Sequence, residues 1–191
     1  MMTANDRSLQ TNRARLAKYF GLAVIGSCLL TLSSYLAVPM VPVPITMQTL
    51  AVTVIGALYG WRLGFATIVF WLIQGAMGLP VFAGGASGPA VFLGFSAGYL
   101  IAFPLAAAAT GWLTQIGWGR GRPMMAFLSM LIGNAICLIV GTAWLSTFIG
   151  AEAAFLSGFA PFIPGAIIKS VMGVGCLYLA YHFTRAKRSN L

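Results

Sequence analysis

Long apolar runs almost free of charge are the feature that most limits what this chain can fold into. Of its 191 residues, 60% are apolar and only 7% are charged. A water-soluble domain carries about 25% charged residues and has no way to hide this much apolar surface. A bilayer solves the problem by acting as the solvent, and a helix crosses it in about 20 residues. Six apolar stretches are candidates, at residues 17–38, 47–59, 63–77, 91–116, 124–149 and 162–183, the second and third shorter than that length. In hydrocarbon every backbone polar group must be satisfied within its own segment, so single stretches of this length must be helices. The expected fold is therefore all-α: a polytopic membrane protein with six transmembrane helices.

The ends frame that domain. Residues 1–16 are polar and read as a cytoplasmic N-terminal segment, either disordered or a short surface helix. Residues 17–184 form the transmembrane domain, and residues 185–191 a basic cytoplasmic tail. The polar opening does not match a cleavable signal peptide. Pro39, Pro42 and Pro44 forbid a helix through the first loop, so residues 40–46 are expected to be irregular. The second stretch is short for a full crossing and needs to tilt or borrow from that loop.

The net charge is +9, and its distribution gives the orientation. With six spans, Arg7, Arg13, Arg15, Lys18, Arg62, Arg120, Arg122, Arg185, Lys187 and Arg188 all fall on one side. The three loops of the other side contain no Lys or Arg, only Glu152. Cytoplasmic loops collect basic residues, so both termini are expected in the cytoplasm, with the chain in the cell (inner or plasma) membrane. A nucleic-acid site would gather the charge on one folded face with aromatics beside it; here every terminus and turn of one side carries some, and no nucleic-acid partner is expected.

Lys169 is the one basic residue outside this pattern. It lies about two turns into the last stretch, toward its outer end. A cation at membrane depth costs at least ~2.5 kcal/mol and faces a cavity or a partner. No Asp or Glu lies within any span; Glu152 precedes the helix and could reach back. The alternative is that the side chain snorkels to the outer surface. The functional reading gives Lys169 an anion, such as the carboxylate of a solute. Pro161 and Pro164 suit the start of its helix, whose free N–H groups also favour negative charge.

The outer segments, residues 39–48, 78–92 and 150–164, are longer than the inner turns and carry Pro, Gly, aromatic and hydroxyl groups. They read as a cap over a pocket or, more plainly, as compact connectors. Gln48 and Tyr99 can hydrogen-bond an amide or ureido group, or a neighbouring helix. Phe82 and Trp144 can pack on a ring, although Trp at this depth also belongs to interfacial belts. Ala17/Gly21 and Ala23/Ser27 place small residues at i, i+4 on the first span, where a partner helix could approach. Cys28, Cys137 and Cys176 fit neither a disulfide framework nor a metal site. No P-loop, zinc-protease or nucleophile-elbow motif is present, and one His with two acids nearly excludes acid–base catalysis. No enzyme activity, cofactor or metal is expected.

Val41-Pro-Val-Pro-Ile-Thr-Met-Gln-Thr-Leu50, Gly78-Leu-Pro-Val-Phe-Ala-Gly-Gly85, Gly98-Tyr99, Gly141-x-x-Trp-Leu145 and Phe162-Ile-Pro-Gly165 with Lys169 four residues on occur in this order. Together they resemble the BioY family, the biotin-specific substrate-binding (S) components of energy-coupling-factor transporters, over residues 17–183. The resemblance implies six helices, an outward-facing biotin pocket, and partnership with a transmembrane coupling subunit and two ATPase domains; some members are thought to act alone. It implies that Lys169 meets the biotin carboxylate and that the 78–92 loop covers the rings. Family members often carry Asp where this chain has Ala166, and some carry Asn around Ala86. Here Ser87 or backbone groups such as Gly85 must serve the ureido ring. A transporter subunit for another vitamin or small solute, and a membrane assembly protein without a ligand, are the readings left open.

Overall fold

The computed structural model describes the backbone of residues 4–189 and the side chains of residues 13–183. The expected basic residues Arg7, Arg185, Lys187 and Arg188 lie outside the described side chains. In chain order the elements are α1 (Ala4–Tyr35), β1 (Ala37–Val38), β2 (Ile45–Thr46), α2 (Gln48–Ala76), α3 (Ala97–Leu113), α4 (Pro123–Ile149), α5 (Ala151–Ala154) and α6 (Phe162–Ser189). Among the described residues, five helices are long and apolar enough to cross a membrane.

The second and third apolar stretches are joined in α2, but that element is not straight. Gly60 has φ 78° and ψ 170°, a left-handed extended conformation that a side chain disfavours. A Cβ placed on Gly64 would lie 3.1 Å from the Cα of Gly56. Eight residues of straight helix would put these positions about 12 Å apart. The chain therefore reverses at Gly60, and α2 is a helical hairpin with arms at residues 48–59 and 61–76. α3 packs closely on it: a Cβ on Gly56 would meet the backbone of Ala107, and one on Gly111 would meet the backbone of Gly56 and of Trp61. In lipid, helices associate by such close backbone approach rather than by a hydrophobic drive.

Several expected boundaries move. Pairing of Ala37 with Thr46 and Val38 with Ile45 turns the first outer loop into a small antiparallel ribbon, so α1 ends at Tyr35 rather than 38. The fourth span begins at Ala97 and not at residue 91, because Pro89–Leu93 form a 3₁₀ turn before it. The third outer segment is largely helical, with α5 followed by a π-helical turn at Phe155–Phe159. Neither residue 16 nor residue 184 marks a break in the backbone; α1 and α6 run through both positions.

The core sits between the α2 hairpin, α3 and α4. Trp71 and Phe82 meet edge to face at 5.0 Å, and Trp71 stacks on Phe103 at 6.3 Å. Each such ring pair adds ~0.5–1.5 kcal/mol beyond area burial. α1 and α6 are the least covered of the long helices. At the basic end, Arg120 lies 4.8 Å over the Tyr181 ring, tying the α3–α4 turn to α6.

Candidate functional site

A cavity of about 240 Å³ opens among the helices at the end of the bundle opposite Arg62, Arg120 and Arg122. Its walls come from five places in the chain: the ribbon and the start of α2, the 77–96 loop, the start of α3, the middle of α4, and the first two turns of α6. Most of the lining is apolar or aromatic, with Phe82, Leu100, Phe103, Leu138 and Phe162 prominent. Polar groups are few. Such a mix suits a small ligand with an apolar body and one or two polar ends.

Lys169 supplies the charge. It is only 8% exposed, lines the cavity, and donates from Nζ to Thr49 Oγ1 at 3.2 Å. Glu152 stands exposed on α5, and among the described residues no ion pair reaches Lys169. A neutral hydroxyl satisfies one proton of an ammonium and none of its charge, so the cavity holds an uncompensated cation.

Gln48 supplies a second donor. Thr46 Oγ1 donates to Gln48 Oε1 at 2.9 Å and fixes the amide. The other end, Nε2, is buried and has no hydrogen-bond partner among the described residues. An orphaned buried donor costs about 1–3 kcal/mol, and a ligand acceptor in the cavity would relieve it.

Tyr99 lines the cavity with its ring, not with a free hydroxyl. The hydroxyl donates to the carbonyl of Gly158 at 2.8 Å, which ties α3 to the turn before α6. The ring lies on Gly141, where a Cβ would collide with it, and stacks on Phe162 at 6.1 Å. Phe82 is seated the same way on Gly75. Its loop is fastened by Ser34 Oγ to Val81 O (2.8 Å), Tyr35 Oη to Pro80 O (2.7 Å) and Gly88 N to Gly75 O (2.7 Å).

The structure thus gathers Lys169, Gln48, Phe82 and Tyr99 around one space. It does not bring in the other expected residues. Trp144 turns away, donating from Nε1 to Gly94 O at 3.0 Å, and acts as a prop for the loop before α3. Gly85 and Ser87 lie off the cavity, while Ala83 and Ala86 line it, because the 3₁₀ turn at Ala83–Gly85 puts residues three apart on one face. On α1, Ala17 is exposed and Gly21 has open space beside it, but Ser27 is buried and bonded to Gln74 of the hairpin. Ser27 is therefore corrected from a partner-facing to an internal residue; Ala23 is half-buried. Thr46, Thr49, Ser96 and Cys137 line the cavity without having been singled out from sequence. Thr46 and Thr49 bracket Gln48, but hydroxyls are common at helix starts, and that spacing alone carried little signal.

A helical membrane bundle closed around one apolar cavity with a lone cation in it defines a solute-binding membrane component. Comparison with known proteins makes this specific. The sequence profile of the BioY family matches residues 5–186. A probable biotin transporter BioY of Pyrococcus horikoshii is 37% identical over 158 residues, 83% of this chain and 93% of that protein. Biotin transporter BioY2 of Lactococcus lactis is 36% identical over 154 residues, 79% and 83% of the two chains. A crystal structure of the S-component for biotin from an ECF-type ABC transporter matches with a TM-score of 0.79 and 26% identity, covering 95% of each chain. The chain belongs to the BioY family, and is a membrane transporter component rather than an enzyme.

Proposed function

We propose that this protein is the substrate-capture subunit for biotin, holding the vitamin in a pocket that faces the outside of the cell. The single observation that carries the reading is Lys169: a buried ammonium, in a cavity, whose one hydrogen bond among the described residues goes to the hydroxyl of Thr49. Biotin supplies the missing anion through its carboxylate, and its relatives' descriptions supply the vitamin's identity. On binding, the carboxylate takes Lys169 Nζ, and Gln48 Nε2 gains an acceptor. The fused rings rest against the apolar wall of Phe82, Phe103 and Leu138. Tyr99 acts as a strut, through Gly158, that keeps the start of α6 over the site.

Counting the two arms of the α2 hairpin separately supports six crossings of a plasma or inner membrane, and the basic residues favour cytoplasmic termini. The cavity end carries no Lys or Arg in its loops, which favours an external opening. The chain has no phosphate-binding loop, so ATP-driven uptake requires a transmembrane coupling subunit and ATPase subunits as partners. Ala17, Gly21 and Ala23 on the poorly covered α1 offer a surface for the coupling subunit.

Native mass spectrometry of the purified protein, followed by competition of labelled biotin against a vitamin panel, tests the proposal. We expect one biotin per chain, displaced by unlabelled biotin and by no other vitamin at comparable concentration. A different retained molecule, or displacement by an unrelated vitamin first, would overturn it.

A further inference from the structure

Apolar packing alone does not choose the rotation of α6. Between Phe162, which stacks on Tyr99 at the start of the helix, and Leu177, its buried stripe is Ala166, Lys169, Ser170 and Gly173, none of them large and apolar. The opposite face carries Ile167, Ile168, Val171 and Met172, all exposed. In lipid there is little to gain by turning those four inward, since hydrocarbon solvates them equally well. Along this stretch the close seat of Gly173 on Met130 and the polar atoms set the angle.

Two polar contacts contribute. One is the bond from Lys169 to Thr49, but Lys169 must share or release it when its ammonium meets an anion. The other lies next to it in the chain and points away from the cavity. Asn134 Nδ2 donates to Ser170 Oγ at 3.2 Å and to Met130 O at 3.0 Å, and Ser170 Oγ donates to Ala166 O at 2.7 Å. Asn134 is 2% exposed and Ser170 0%. Asn134 sits on α4 one turn before Cys137, a cavity residue, and Ser170 directly follows Lys169. Successive residues are about 100° apart on a helix, so a one-residue turn of α6 that breaks this bond carries Lys169 out of the cavity.

We propose that Asn134 and Ser170 are positioning residues: their hydrogen bond fixes the rotation of α6 that aims Lys169 into the cavity, with or without ligand. This rests on the assignment of Lys169 to the carboxylate of biotin. Binding of biotin and of biotin amide is measured for Asn134→Leu and Ser170→Ala, each alone and combined with Lys169→Ala. We expect each to weaken biotin about three- to tenfold, within the range of one interhelical hydrogen bond in membranes, and the amide less. In the Lys169→Ala background neither should weaken biotin further, and Ser170→Thr, which keeps the hydroxyl, should retain wild-type selectivity. Equal losses for both ligands, or an undiminished loss without Lys169, would overturn the role.

A second readout is independent of the ligand. In a chain with Cys28, Cys137 and Cys176 changed to Ala, Lys169→Cys should react readily with a water-soluble methanethiosulfonate, and adding Asn134→Leu should slow the reaction about tenfold as the thiol leaves water. An unchanged rate overturns the inference whatever the binding data. If Lys169→Ala weakens biotin and its amide alike, the carboxylate assignment fails, while the labelling rates still decide whether the bond sets the helix.

Discussion

An ammonium group among apolar helices needs either a counter-charge or an opening, and Lys169 has the opening. Gln48 stands beside the same space with its carbonyl held by Thr46 and its N–H groups unmet. This pairing makes a prediction. Gln48→Glu would supply from the polypeptide the anion that the cavity lacks. Opposite charges in low dielectric attract strongly once both are desolvated. We expect the unliganded variant to unfold at a higher temperature in detergent, and to bind biotin at least ~10-fold more weakly because its carboxylate occupies the cation. A lower melting temperature together with unchanged biotin affinity would show that the two side chains do not share the site. At this scale the sequence was informative where a residue broke the rules of its surroundings. Lys169 was conspicuous because charge is rare in a span. Thr49 and Asn134 were not, because a hydroxyl or amide in a membrane helix usually bonds its own backbone, and only the fold shows which one reaches across.

The elements that build the site depend on close backbone approach. Gly75 seats the Phe82 ring, Gly141 seats Tyr99, and Gly60 turns the α2 hairpin. Gly75→Val should push Phe82 and its loop off the cavity, reducing biotin affinity about tenfold by a loss of packing that small-to-large changes in filled sites produce. Gly60→Ala should instead act on stability, since φ 78° is strained for a side chain and the side chain of Gln115 fills the space. A loss of about 1–2 kcal/mol in unfolding is expected, with binding by the folded fraction unchanged. Thermal unfolding beside ligand titration separates the two variants. The apolar runs and the breaks at Gly60 and Gly78 were legible from sequence, because chain direction in lipid is written in hydropathy and glycine. The ribbon of Ala37–Val38 with Ile45–Thr46 was hidden by the three prolines, none of which falls in either paired strand. An indole in an outer half-span can face a ligand or a loop carbonyl equally well, and the partner of Trp144, Gly94 O, is a feature of the fold.

For the whole molecule, the proposed orientation puts the cavity mouth outside and the basic turns in the cytosol. Arg62, Arg120 and Arg122 gather at one end, and Lys169 opens toward the other. In intact cells expressing a cysteine-free chain, a membrane-impermeant thiol reagent should label Glu152→Cys at once. It should label Gly121→Cys only after the membrane is permeabilised. The reverse pattern would place the cavity mouth in the cytosol and end the uptake reading. Membership of the BioY family and the match along 95% of a solved biotin S-component agree with the bundle described here.

The most direct test is a set of four binding isotherms: biotin and biotin amide, each against the wild-type protein and Lys169→Ala. Removing the cation should weaken biotin at least ~30-fold, equivalent to about 2 kcal/mol, and leave the amide nearly unchanged, so that the variant no longer distinguishes the two. Equal weakening of both ligands, or of neither, would contradict the claim that this cavity recognises its solute through a charge meeting a charge.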